Sequence, residues 1–324
     1  MKRRLSNLVR IGPVLGLLAA GGCLKPCPEK MLRLEDVVSR YNANADAVPR
    51  LWARAEVSVT LDTGELLPYT WRSGDPTCLL VLAKGPRRFG PHDFALIGRE
   101  TAAVRLFQLG SSTKQGVYYF WYHFGERGGA WVGRNDLAGA PGVRDLPLDP
   151  VQLLSVLGVC PLPDDRTAVP TVLLSMQNEP GDCAYVVSVV ERQPVTGHVL
   201  LRRELLFRWH DDDPPRVYQV NVLDGAGRRV LTAHLDDYRP IDVSKLDDPP
   251  AVEPVMPTDI EIVANPMPGV RTPIRKVRLR LSELTAEDIW DRAACYFDPP
   301  AGLAPVQVDR DVLKARPAPE GTGP

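Results

Sequence analysis

Cys23 is the residue best placed for covalent chemistry, because a thiol follows three residues small enough for a signal-peptidase cleft, Ala20, Gly21 and Gly22. Upstream, Lys2, Arg3, Arg4 and Arg10 form a basic head, and residues 11–20 form an apolar core of roughly ten residues, the plan of an export signal. Such a core is too short to span a bilayer of roughly 30 Å as a helix. Other chemistry finds little to work with. The five histidines, His92, His123, His198, His210 and His234, are scattered. No Gly-x-Ser-x-Gly elbow, His-Glu-x-x-His pair or phosphate loop is present. His210 with Asp211, Asp212 and Asp213 runs into Pro214-Pro215 and reads as a solvated turn, as do Asp164-Asp165 and Asp247-Asp248. No catalysis, metal or cofactor is therefore expected.

The stretch ending at Cys23 resembles the lipobox of bacterial lipoproteins, with Ala20 where leucine is the commonest choice. The resemblance implies cleavage after Gly22, diacylglycerol on the Cys23 sulfur and an acyl chain such as palmitate on its nitrogen. Each buried acyl CH2 contributes roughly 0.8 kcal/mol, so two or three chains hold a protein on a membrane almost permanently. This assigns residues 1–22 to the signal and 23–33 to a lipidated tether. The alternative is an ordinary secretory signal with a nearby structural cysteine. The other cysteines, Cys27, Cys78, Cys160, Cys183 and Cys295, are odd in number and lack Cys-x-x-Cys spacing, which leaves their pairing open. Cys78, inside an apolar run, and Cys183 read as buried thiols in preference to a bridge.

Removing residues 1–22 takes away four basic residues and no acidic ones, leaving 35 basic against 40 acidic residues and a net charge of −5. That balance argues against nucleic acid as a partner. Hydrophobic residues at 44% and charged residues at 24% are globular values, enough for one large β domain.

Leu34, Val37, Val38 and Tyr41 recur at helical spacing, so a helix is predicted to about Ala47, before Pro49. From Leu51 the period becomes two. Leu51, Ala53, Ala55, Val57, Val59 and Leu61 alternate with polar or larger residues, and the pattern returns at 78–84, 93–98, 102–109, 117–124, 171–177, 184–192, 199–209, 217–223, 229–238, 259–264 and 274–281. The short links 211–215 and 224–227 leave no room for crossover helices, so the sheet should meander. A short helix is expected at 149–158, with Pro150 at its first position and Gly158 past its end, and a final helical turn at 285–290. The boundaries are a β domain with its helix at 34–309 and a disordered Pro- and Gly-rich tail at 310–324.

An exported chain with an N-terminal helix, then Leu51-Trp-Ala-Arg-Ala-Glu-Val-Ser-Val-Thr60, then a meander interrupted by Pro147-Leu-Asp-Pro-Val-Gln-Leu-Leu154, resembles the outer-membrane lipoprotein-sorting (LolA/LolB-like) family. Segments 203–209, 216–220 and 224–238 add to that likeness. The resemblance implies a mainly β fold: a single curved antiparallel sheet, a half-open barrel, with an N-terminal helix and one or two short covering helices. It implies a hollow for the acyl chain of a lipid or lipoprotein, and a place in the cell envelope, lipid-anchored at the outer membrane and facing the periplasm. Large same-face residues are candidates for lining the hollow: Val57 and Val59, Tyr119 and Trp121, Val187, Leu205 and Phe207, and Val220 and Leu231. The alternative is a structural or partner-binding envelope lipoprotein whose core is closed by these same residues. Residues 117–122 are apolar or aromatic on both faces, so one face should meet the helices and the other a ligand or an envelope protein partner.

Overall fold

The computed structural model describes residues 32–62, 68–74, 78–101, 104–124, 127–138, 143, 150–179, 182–192, 198–208, 216–224, 226–265, 274–287 and 290–315. The signal, Cys23, Cys27 and the link 211–215 lie outside the described residues. The chain forms helix α1 (Leu34–Asp46), then strands β1 (Arg50–Leu61), β2 (Tyr69–Arg72), β3 (Cys78–Ala83), β4 (Asp93–Arg99), β5 (Arg105–Ser112), β6 (Val117–Phe124) and β7 (Arg127–Arg134). Helix α2 (Pro150–Val156) follows, then β8 (Thr171–Glu179), β9 (Asp182–Arg192), β10 (Val199–Arg208), β11 (Val217–Leu223), β12 (Arg229–Pro240), β13 (Val255–Ala264), β14 (Ile274–Thr285), β15 (Pro305–Gln307) and helix α3 (Arg310–Ala315).

All the strands belong to one curved, unclosed sheet in the order β15-β7-β6-β5-β4-β3-β1-β14-β13-β12-β11-β10-β9-β8, with β2 beside β1. Two antiparallel meanders, β3 to β7 and β8 to β14, are joined through β1, which lies between β3 and β14. To pass from β7 to β8 the chain must cross the sheet, and α2 lies in that crossing, packed on β4, β5 and β6. The expected half-open, mainly β architecture is therefore what the chain forms.

The main core fills the inner face. Residues from β1 (Leu51, Val57), β4 (Phe94, Leu96), β10 (Leu205, Phe207) and β13 (Ile260, Ile262) pack there with Val37 and Val38 of α1 and Leu153 and Leu154 of α2. Helix α1 is fastened by two asparagine amides. Asn42 is bonded both ways to the Leu162 backbone, at 2.9 Å to its oxygen and 2.7 Å from its nitrogen. Asn44 does the same with Val255, at 2.9 and 2.7 Å, at the start of β13. Each amide mimics a strand pair, so the helix spans from the loop after α2 to β13.

The outer face differs between the two halves of the sheet. Across β1, β13 and β14 it is wet and carries cross-strand ion pairs, Lys276 with Glu261, Arg278 with Asp259 and Arg280 with Glu56, as expected of a sheet with one solvated side. Across β3 to β7 it is covered by the chain's own C-terminal segment. A single-turn 3-10 helix (Arg292–Cys295) sits on β3, β4 and β5, and β15 adds to β7 as its parallel edge.

Three local expectations are corrected. Of the helical turn expected at 285–290, the described residues 285–287 and 290 are not helical: β14 continues to Thr285, where Asp242 N donates to Leu284 O and Ala286 N donates to Asp242 O, a pairing that holds the backbone extended. The first six residues of the expected disordered tail form α3, leaving 316–324 outside the described residues. Cys183, read as a buried thiol, is disulfide-bonded, consistent with an oxidising compartment, whereas Cys78, Cys160 and Cys295 are not bridged. Strand β7 escaped the sequence pattern because Gly128, Gly129 and Gly133 interrupt its alternation. Gly133 is there for space: a Cβ would sit 2.5 Å from Cζ of Tyr118.

Candidate binding site beneath the helices

Val57, Val187, Leu205, Phe207, Val220 and Leu231 are all buried in the inner core, with Val59 packed partly buried against it. Register explains their assembly: Leu205 lies opposite Val187 of β9 and Val220 of β11, forming a row across three strands, and Val222 of β11 faces Leu231 of β12. Phe207 is 1% exposed and meets the ring of Tyr41 of α1 edge-on at 6.1 Å. These side chains fill the hollow between the sheet and α1.

Tyr119 and Trp121 are placed elsewhere, which corrects their assignment to the inner face. They point outward with Ala130 and Val132, beneath Phe297 and Leu303 of the C-terminal segment. The Gln108 amide donates to Tyr119 Oη at 2.7 Å and to Ala294 O at 2.8 Å, and Tyr119 Oη donates to Cys295 O at 2.9 Å. Burial pushes the Tyr119 phenol well above its ordinary range. The inner residues of β6 are instead Tyr118, Phe120 and Tyr122, with Phe120 and Tyr122 stacked on Trp131. Alternation could not orient this strand, because both faces are apolar. The partner expected on its second face is the chain's own C-terminal segment.

Where the inner core reaches the surface, a cavity of 380 Å3 opens between α2, the β3–β4 loop, the loop after α2 and the ends of β9 and β10. Its volume lies within the range of about 300–1,000 Å3 typical of ligand pockets. Its lining mixes apolar residues, Phe89, Leu154, Pro161, Pro163, Pro170 and Val222, with Arg88, Glu191, Arg192, Arg202, Arg203, Ser155, His92 and Cys160; Arg88 lies over the Phe89 ring at 5.6 Å and Arg203 is the register partner of Val222.

The polar groups are held from several elements. Arg88 reaches Asp164 at 2.6 Å and Asp46 of α1 at 2.9 Å, tying the β3–β4 loop to both roof segments. His92 accepts a hydrogen bond from Gly85 N at 3.0 Å through Nδ1, and burial lowers its pKa, so its imidazole is a neutral structural acceptor. Burial raises the Cys160 thiol, which keeps it protonated and unreactive, and lowers the ammonium of Lys84, which donates to Ala45 O at the end of α1. Among the described residues, no three His, Cys, Asp or Glu side chains converge to hold a metal ion. The arrangement offers apolar surface and positive charge side by side.

Arg202 and Arg203 were not anticipated as site residues. The signal was present: two consecutive arginines break the alternation of an otherwise apolar strand, Val199-Leu-Leu-Arg-Arg-Glu-Leu-Leu206. Such a break in period marks a bulge.

No family profile matches the chain, and no curated protein matches its sequence. Among solved structures, it is similar to a DUF1329 family protein from Desulfovibrio piger, with a TM-score of 0.45 and 12% identity over 81% of this chain and 95% of that one. It is similar to a LolA superfamily protein from Nitrosomonas europaea, with a TM-score of 0.43 and 10% identity over 81% of this chain and 97% of the other. An outer membrane lipoprotein-sorting protein domain from Vibrio parahaemolyticus gives 0.43 and 9%, over 80% of this chain and 94% of its own.

Proposed function

We propose that this chain is a lipid-anchored cell-envelope protein that binds the acyl part of a lipid or lipoprotein beneath its helices and performs no reaction on it. The observation that carries the reading is the cavity under α2, whose lining includes exposed Phe89 and, from the inner core of a half-open sheet, Leu154 and Val222. Burying a chain there removes apolar area from water at roughly 25 cal/mol per Å2. The filled hollow means that a long chain must displace side chains or lift the α1–α2 roof, so the ligand exchanges one apolar environment for another.

A fluorescent fatty-acid probe tests the ligand. Ser155→Trp fills the cavity from α2, and it should weaken the probe about tenfold or more with the thermal midpoint retained, since displaced volume has nowhere to go in a packed interior. The second reading, a structural or partner-binding envelope lipoprotein, is favoured by one observation: Val57, Val187 and Phe207 already close the core without a ligand. It predicts that the unaltered protein binds no probe of any chain length, a result that would remove the acyl-binding reading.

The anchor rests on the signal and on Cys23. Cys23→Ser should release the protein from membranes into the soluble envelope fraction, because one thiol carries the diacylglycerol. Persistence of the Ser variant in the membrane fraction, with no fatty acid incorporated by the unaltered chain, would contradict it. We place the anchored protein at the outer membrane, facing the periplasm.

A further inference from the structure

Two of the arginines that line the cavity are placed there by a defect in β10. Leu201 pairs with Val190 and Arg203 with Val189, so Arg202 is an extra residue with no opposite number on β9. A bulge re-aims the side chains beside it. Here it turns two consecutive residues, Arg202 and Arg203, into the same cavity, where a regular strand would have sent one of them outward.

Arg192, at the end of β9, and Arg88, from the β3–β4 loop, also line the cavity. Four guanidinium groups therefore line one cavity, and Arg203 among them meets Glu191 at 3.3 Å. Asp46 and Asp164, just outside, hold Arg88. Lys84 adds positive charge near Cys160 and His92 adds none when neutral. The Arg203 side chain is only 19% exposed, and Arg202 has no acidic partner among the described residues. A guanidinium without an acidic partner, set beside one that burial keeps largely from water, is stabilised by an incoming anion. A guanidinium presents a planar fork of N–H donors that matches a carboxylate or a phosphate two bonds at a time.

We propose that Arg202 and Arg203 form an anion subsite, which takes the phosphate or carboxylate head of an amphiphile while the tail follows Leu154 and Val222 inward. The tail rests on the acyl-binding reading above; the head does not. The alternative source of the same chemistry is a free phosphate ion.

Calorimetry of the full-length protein with octyl phosphate, octanol and inorganic phosphate separates the cases. The unaltered protein should bind octyl phosphate about tenfold or more tightly than octanol. Arg202→Gln should shrink that preference to about twofold without changing octanol affinity, whereas Arg280→Gln, on the wet outer face, should leave it intact. Equal affinity for the two octyl ligands, or a preference that survives Arg202→Gln combined with Arg203→Gln in a folded protein, overturns the subsite and leaves the acyl reading standing. Inorganic phosphate binding that depends on Arg202, with neither octyl ligand bound, supports the subsite as one for a free anion and removes the acyl reading. Failure of all three ligands overturns both.

Discussion

Arg203 and Phe207 lie on one strand, face the same way and meet opposite needs. Phe207 is sealed against Tyr41 and belongs to the part of the hollow that must stay dry, whereas Arg203 stands at the mouth, where a charge can be partly solvated and paired. His92, also at the mouth, makes the local electrostatics testable. Burial first, and then the Lys84 charge, lowers its pKa from the ordinary 6.5, while Asp93 opposes the shift. The folded protein thus favours the neutral imidazole that accepts from Gly85 N. As pH falls through about 6.5 the unfolded chain takes up the proton first, so stability contributed by His92 is complete above that value and lost as pH falls through the lower folded-state value. Urea denaturation from about pH 7.5 to 5 should show stability falling less steeply in His92→Asn, whose amide oxygen keeps an acceptor in place. Equal slopes for the two proteins would show that His92 is not held neutral by its surroundings.

Among the elements, strands that are wet on one side could be read directly from residue types. Leu51 to Leu61 alternate cleanly, and the inner row of Val187, Leu205 and Val220 follows once the strands pair in order. Period failed where both faces are covered: β6 carries aromatic residues at every position from Tyr118 to Tyr122, so nothing local says that Tyr119 and Trp121 face outward. What decides their direction is the segment carrying Phe297 and Leu303, more than 160 residues away in sequence by the numbering itself. The amide clamps of Asn42 and Asn44 were likewise hidden, because a polar residue on a helix is ordinarily a solvated one and only the backbones of Leu162 and Val255 give these two their role. For the site, the apolar lining was foreseeable in kind, whereas the cluster of arginines depends on a bulge, on the end of β9 and on a loop that come together only in three dimensions.

At the scale of the whole molecule, the fold joins a sheet that is solvated on one flank to a flank buried on both sides, and it puts the opening under the helices between them. The C-terminal segment covers the β3–β7 flank, with the Gln108–Tyr119 network fixing it from beneath, whereas the α1–α2 roof on the inner face is held by the Asn42 and Asn44 clamps and by Arg88. A lipid anchor at Cys23 would leave only a short tether before α1 at Leu34, and would hold that roof near the membrane from which an amphiphile comes. The most direct measurement is photo-crosslinking of the full-length protein with a fatty acid that carries a diazirine on its chain, followed by peptide mapping. The account predicts label in the peptides that hold Leu154 and Val222, saturable and displaced by unlabelled fatty acid. Label confined to the exposed edge strand around Leu173, or label that no competitor displaces, would contradict it.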